Sequence, residues 1–158
     1  MSEQNEQFFE FLDTVDSRFQ TTVKEINDLF IQGGCVCEIK SAKSGFVVSY
    51  ILKKEKRTIA NFVMRKAGVL LRLYADKINE YADFLDTLPD SMKKDIKKAA
   101  HCKRLLNPDD CNSRCKMGYT FLLDGEEQKK CRYNAFFFLI NDASGASIKE
   151  FVAHEMNL

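Results

Sequence analysis

A chain of 158 residues is about one domain long and can bury roughly 70% of its unfolded surface without disulfides or metal. Its apolar fraction of 45% and charged fraction of 30% exclude the disordered class. The formal net charge of +1 conceals acidic segments at 1–31 and 73–90 and basic ones at 32–72 and 91–132, which reads as neighbouring elements that neutralise each other.

The acidic start Met-Ser-Glu-Gln-Asn-Glu argues against a secretory signal, and no apolar run approaches the roughly 18 residues of a membrane span. A cytoplasmic location and no membrane partner are expected. In such a reducing compartment the six cysteines are expected as thiols or metal ligands.

In chain order, Phe8, Leu12, Val15, Phe19, Thr22, Ile26 and Leu29 recur at helical spacing. They predict one long helix, or two short ones hinged at Asp13 to Ser17 with Asp16 or Ser17 as N-cap. Gly33-Gly34 ends the stripe. From Cys35 to Tyr74 the period changes to two, and strands at 35–40, 46–52, 58–64 and 69–74 read as an antiparallel meander. Cys35 and Cys37 share a face of the first strand and read as small core residues.

Ile78, Tyr81, Ala82, Leu85 and Leu88 predict a helix ended by Pro89. Met92, Ile96, Ala99 and Ala100 predict another, capped by Asp90 or Ser91. Tyr119 to Leu123 and Ala135 to Ile140 predict a C-terminal two-strand hairpin with its turn at Asp124-Gly125, and a helix follows from about Ser147 to Met156. Strands followed by helices favour an α+β fold. The expected organisation is a single domain over 1–158, with a helical segment at 1–32 and an α+β body at 33–158.

The cysteines at 102–131 are the most specific chemical feature, spaced Cys102-x8-Cys111-x3-Cys115-x15-Cys131. Four thiolates around zinc make a closed structural site, and closed sites hold irregular loops. The polar stretch from Lys103 to Met117 needs such support, because unsupported loops longer than about 12–15 residues are uncommon inside domains. Arg114, Lys116, Lys130 and Arg132 would offset the negative charge of the thiolates. Free thiols and a disulfide or redox pairing stay open alongside zinc, since the tighter C-x2-C knuckle is absent.

No phosphate loop, nucleophile elbow or H-E-x-x-H pair occurs, and the two histidines, His101 and His154, offer few ways to build a triad. A closed zinc site also lacks an open position for substrate, which points away from an enzyme. The readings are a binding or regulatory domain with structural zinc, a small-molecule binder or enzyme with a pocket between sheet and helices, and a nucleic-acid binder. The last would use Lys93, Lys94, Lys97, Lys98, Lys103 and Arg104, although the first four equally form the solvated face of a helix. The sequence identifies no partner or oligomeric state.

The run Arg65 to Tyr74, then Leu88-Pro89, Cys102-Lys103-Arg104-Leu105, Gly118-Tyr119-x-Phe121 and Lys130-Cys131-Arg132 resembles small uncharacterised bacterial proteins of Firmicutes type. At fold level the meander followed by helices is similar to YjbR-like domains. The first resemblance implies no activity. The second brings an expectation of DNA binding in some members, and fold alone does not carry function.

Overall fold

A computed structural model describes residues 3–43, 45–107, 109 and 118–158. The N-terminal stripe forms two helices, α1 (Glu3–Thr14) and α2 (Gln20–Gln32). Between them the Asp16 carboxylate accepts the Arg18 N–H at 3.0 Å and pairs with its guanidinium at 2.9 Å. An aspartate that bonds two residues ahead makes a turn. The expected cap at Asp16 or Ser17 is therefore replaced by Phe19, which makes no side-chain bond. Gly33 caps α2, and Gly34 follows at φ +95°, a conformation that glycine adopts without strain.

The meander forms as expected from β1 (Cys35–Ala42), β2 (Gly45–Leu52), β3 (Arg57–Arg65) and β4 (Gly68–Leu73). The C-terminal hairpin has a different second strand. β5 (Tyr119–Leu123) pairs with β6 (Glu126–Lys130) across a turn in which Asp124 and Gly125 both take positive φ. Strand β6 reads Glu-Glu-Gln-Lys-Lys and buries only Gln128 and Lys130, so apolar periodicity is silent there. The apolar segment at 135–140 instead supplies β7 (Phe136–Leu139), antiparallel to β4, and the large sheet runs β1-β2-β3-β4-β7.

Strand register sets Ile39, Val48, Phe62, Leu71 and Phe138 in one row across the sheet, with Cys37, Tyr50, Ala60, Leu73 and Phe136 beside it. Helices α1, α2 and the C-terminal helix (Gly145–Met156) cover this face. Phe30 stacks on Tyr50 at 4.5 Å between ring centroids, Phe11 on Phe62 at 5.8 Å, and Phe151 packs on Phe138 at 5.6 Å.

The helix expected at 78–88 shrinks to a 3-10 turn (Ile78–Glu80) and α3 (Ala82–Leu85), because Tyr81 at φ −136° leaves helical geometry. Helix α4 (Asp90–Lys98) has Pro89 at its N-cap in place of Asp90 or Ser91, and α5 (Lys103–Leu106) opens the cysteine segment. The C-terminal helix is α6 (Gly145–Met156). Among the described residues no helix is long and apolar enough to cross a membrane.

Lys130 joins the hairpin to α4. Its side chain is fully buried, and its ammonium donates to the carbonyls of Lys97 at 2.7 Å and Ala99 at 3.0 Å. A cation at this helix end meets both the negative pole of the dipole and carbonyls that lack helical partners. Burial pushes its pKa down, and these two acceptors hold the charged form in place. Lys130→Ala should lower stability by about 3 kcal/mol in urea unfolding, the cost of leaving buried acceptors unpaired. A loss below about 1 kcal/mol would show that water reaches those carbonyls.

Candidate functional site

Two places bring chemistry-bearing side chains together. The first contains Cys102 and Cys131. Their segments form an antiparallel bridge at His101 and Lys130, with Cys102 N–H donating to Lys129 O and Cys131 N–H to Ala100 O, each at 2.9 Å. The two cysteines then lie diagonally on one side of the bridge, about 7–8 Å apart between backbones, too far for a disulfide but close enough for one ion to reach both. Both are free thiols in the structure.

Gly118 N–H donates to Cys102 Sγ at 3.2 Å. A Cβ on Gly118 would stand 1.9 Å from Lys130 O, so only glycine fits against the bridge. The chain thus leaves at Cys102 and returns at Gly118 to the same point. Cys111 and Cys115 lie outside the described residues, although Cys115 is only three residues from Gly118, a reach of about 10 Å. Among the described residues no group of three or more potential ligands is assembled.

The flanking charges do other work than neutralising thiolates. Lys130 caps α4, and Arg132 donates to the Asp76 carboxylate and to its carbonyl at 3.0 Å, with its guanidinium over the Tyr119 ring at 5.2 Å. Arg114 and Lys116 lie outside the described residues. Of the α4 lysines, Lys93 pairs with Asp124 at 2.9 Å and Lys97 with Glu126 at 3.7 Å, both acids belonging to the hairpin. Lys94 and Lys98 are exposed, and Lys103 and Arg104 sit on the separate α5.

The second place is a cleft of about 380 Å³ at one end of the sheet. Its walls are the end of α2 at Gly33 and Gly34, the β2–β3 turn from Leu52 to Glu55 with Arg57, the segment Asp76-Lys77 after β4, and the end of α6 at Glu155 and Met156. Gly33 permits the close approach of α2 to α6, since a Cβ there would lie 2.5 Å from Met156 Sδ.

Glu155 is only 2% exposed. Its carboxylate accepts the N–H of Asp76 at 3.0 Å, the N–H of Lys77 at 3.1 Å, and the Tyr81 hydroxyl. The other acids of the cleft are also engaged. Glu55 pairs with Arg57 at 3.3 Å, and Asp76 with Arg132 and, at 3.9 Å, with Arg57. Lys53, Lys54 and Lys77 have no hydrogen-bond or ion-pair partner through their ammonium groups among the described residues.

Comparison with family models, curated proteins and solved structures finds no match to this chain. Function therefore has to be argued from the chain's own geometry.

Both oxygens of Glu155 accept hydrogen bonds, from the N–H groups of Asp76 and Lys77 and from the Tyr81 hydroxyl. Burial pushes the Cys35 and Cys37 thiols up to about 11, so neither is a thiolate at neutral pH. Cys35 is a core residue as expected, whereas Cys37 is half-buried beneath the Tyr50 hydroxyl, which donates to Asn27 at 2.6 Å. His154 stacks on Tyr81 at 5.3 Å from an exposed position.

The sequence reading missed the cleft. Lys53 to Lys56 reads as a polar turn, and Asp76-Lys77 as a connection. One signal was present: Glu155 falls in phase with Ile148, Phe151 and Val152 on the buried face of α6. A carboxylate on an apolar stripe marks a group that must find donors.

Burial raises the Glu155 pKa more than its hydrogen bonds lower it, so folding makes the carboxyl easier to protonate than it is in the unfolded chain. That contribution to stability is complete below about pH 4.3, the ordinary glutamate value, and is lost as pH rises through the raised folded value. Glu155→Gln keeps the shape and removes the titration. Compared with that variant, the wild type should lose stability in urea unfolding as pH climbs from about 4.3 toward neutrality. Equal slopes in the two proteins would refute desolvation of Glu155.

Proposed function

We propose that this chain is a non-enzymatic binding domain that takes a small anionic molecule in the cleft and fastens its cysteine loop with a structural zinc. The observation that carries the ligand reading is the balance of charge in the cleft. Glu55 and Asp76 are paired with arginines and Glu155 is held by neutral donors, so the ammonium groups of Lys53, Lys54 and Lys77 outnumber the one carboxyl that has no cationic partner. Leu52 and Met156 supply an apolar wall, and the volume lies in the range of small-molecule sites. An organic phosphate or carboxylate with an apolar portion matches both.

Phenyl phosphate and benzoate should bind by calorimetry more tightly than phenol or inorganic phosphate. The double variant Lys53→Glu, Lys77→Glu should weaken them at least about tenfold. No saturable binding of either probe at millimolar concentration would reject the cleft as an anion site.

For the zinc, the support is the return of the chain at Gly118 to the His101–Lys130 bridge that Cys102 and Cys131 flank, with an N–H turned on the Cys102 sulfur. That contact holds the Cys102 sulfur at the point where the chain returns. The ligands would be Cys102, Cys111, Cys115 and Cys131, and the zinc would hold the loop rather than meet substrate. Elemental analysis of protein purified without added metal should find about one zinc per chain. Cys102→Ser should abolish it, and four freely titrating thiols in metal-free protein would end the reading. Nothing on α4 favours nucleic acid over these, since hairpin acids already pair Lys93 and Lys97.

A further inference from the structure

Among the described residues, α1, α2 and α6 pack their aromatic side chains on one face of the large sheet. Its second face carries the row Glu38, Ser49, Asn61, Arg72 and Phe137, flanked by the row Lys40, Val47, Val63, Leu70 and Leu139 and by the pair Val36 and Ile51. Most side chains here are apolar, yet none of them belongs to the main core cluster. Val36, Val47, Ile51, Leu70 and Leu139 are half-buried, Val63 and Asn61 at the centre are buried, and Phe137 is 47% exposed. Helices α1 and α2 meet the strands from the core face. α4 packs on β7, where Phe137, Asp95 and Ala99 line a shallow hollow.

An antiparallel sheet with one solvated face normally shows polar residues there, whereas strands apolar on both faces belong to sheets covered on both. A contiguous apolar patch of this kind marks an interaction surface. The polar row says what covers it. Arg72 Nε is buried without a hydrogen-bond partner, and Glu38 on the edge strand is exposed and makes no ion pair among the described residues. Within the polar row the charge is negative at Glu38 on β1 and positive at Arg72 on β4, with Lys40 a cation in the neighbouring row of β1, so it is this row that is complementary to itself.

We propose that this face is the interface of a two-fold homodimer in which Glu38 of each copy meets Arg72 of the other. A two-fold axis parallel to the strands and between β2 and β3 sets β1 over β4 and β2 over β3 of the second copy. The two charge pairs then form symmetrically, Ser49 faces Asn61, and Val47 faces Val63. Each contact occurs twice, as an isologous interface requires. The sheets stack at the roughly 10 Å spacing of packed sheets.

Sedimentation equilibrium of the full chain across the micromolar range tests this. The wild type should dimerise, and Val47→Glu at a half-buried position should abolish the dimer. Glu38→Arg and Arg72→Glu should each raise the dissociation constant about tenfold or more, and the two together should restore it to within a few fold. Should Arg72→Glu fail to fold, Glu38→Arg at its exposed position carries the test by itself. A monomeric wild type overturns the proposal, as does a dimer indifferent to Val47→Glu and Glu38→Arg. A monomer that binds a different protein or lipid vesicles through this face also overturns it.

Discussion

The carboxylate of Glu155 sits where the end of the chain meets its middle. Burying a charged group costs several kcal/mol unless donors surround it. Asp76 and Lys77 supply backbone N–H groups and Tyr81 its hydroxyl, from positions nearly eighty residues earlier. Those bonds hold the chain as it leaves β4, break the helix expected at 78–88, and seat the end of α6 beside α2. The cleft is what remains between these elements. Its floor is fastened by these hydrogen bonds, while its lysines belong to a turn and to the segment that Glu155 holds.

A second constraint acts on the other side of the molecule. Strand β5 is placed by burial of Tyr119, Phe121 and Leu123, but β6 has few apolar residues, so hydrophobic burial contributes little to placing that strand. Polar and backbone contacts do so instead: Lys130 on the end of α4, Lys93 and Lys97 on Asp124 and Glu126, Arg132 on Asp76, and the bridge at His101. Cys102 and Cys131 occupy the edge of that arrangement. A zinc there would fasten the loop to the hairpin, and through Arg132 and Asp76 the hairpin reaches the wall of the cleft. Under the proposed function, binding and fastening would be neighbouring tasks of one scaffold.

The large sheet shows how a fold can be internally satisfied and still leave a surface demanding company. Its covered face is filled by aromatic stacking against three helices. The other face is too apolar to belong to a solvated sheet, and its buried Arg72 Nε lacks an acceptor. Side chains alternate along each strand, so a row such as Glu38 to Phe137 takes shape only when five separate segments pair in register.

By itself, the sequence determined whatever depends on local periodicity and backbone chemistry. The meander from Cys35 to Leu73, the helical stripe at Phe8 to Phe30, the stop at Gly33-Gly34, the Asp124-Gly125 turn and α6 were legible because apolar spacing and glycine act within a few residues. The tertiary structure decided whatever depends on partners distant in sequence. Strand β6 forms because β5 offers it a ladder and α4 accepts its lysine. Segment 136–139 joins β4 rather than Tyr119–Leu123 because an apolar strand gains more by extending the large sheet over α6. Tyr81 leaves its helix for Glu155, and the caps move from Asp16 and Asp90 to Phe19 and Pro89. The cleft lysines are unremarkable as sequence, since nothing local reveals that the acids beside them are already taken. The cysteine spacing was visible from the start; that Cys102 and Cys131 share one side of a bridge, closed by a glycine no other residue could replace, required the chain to fold.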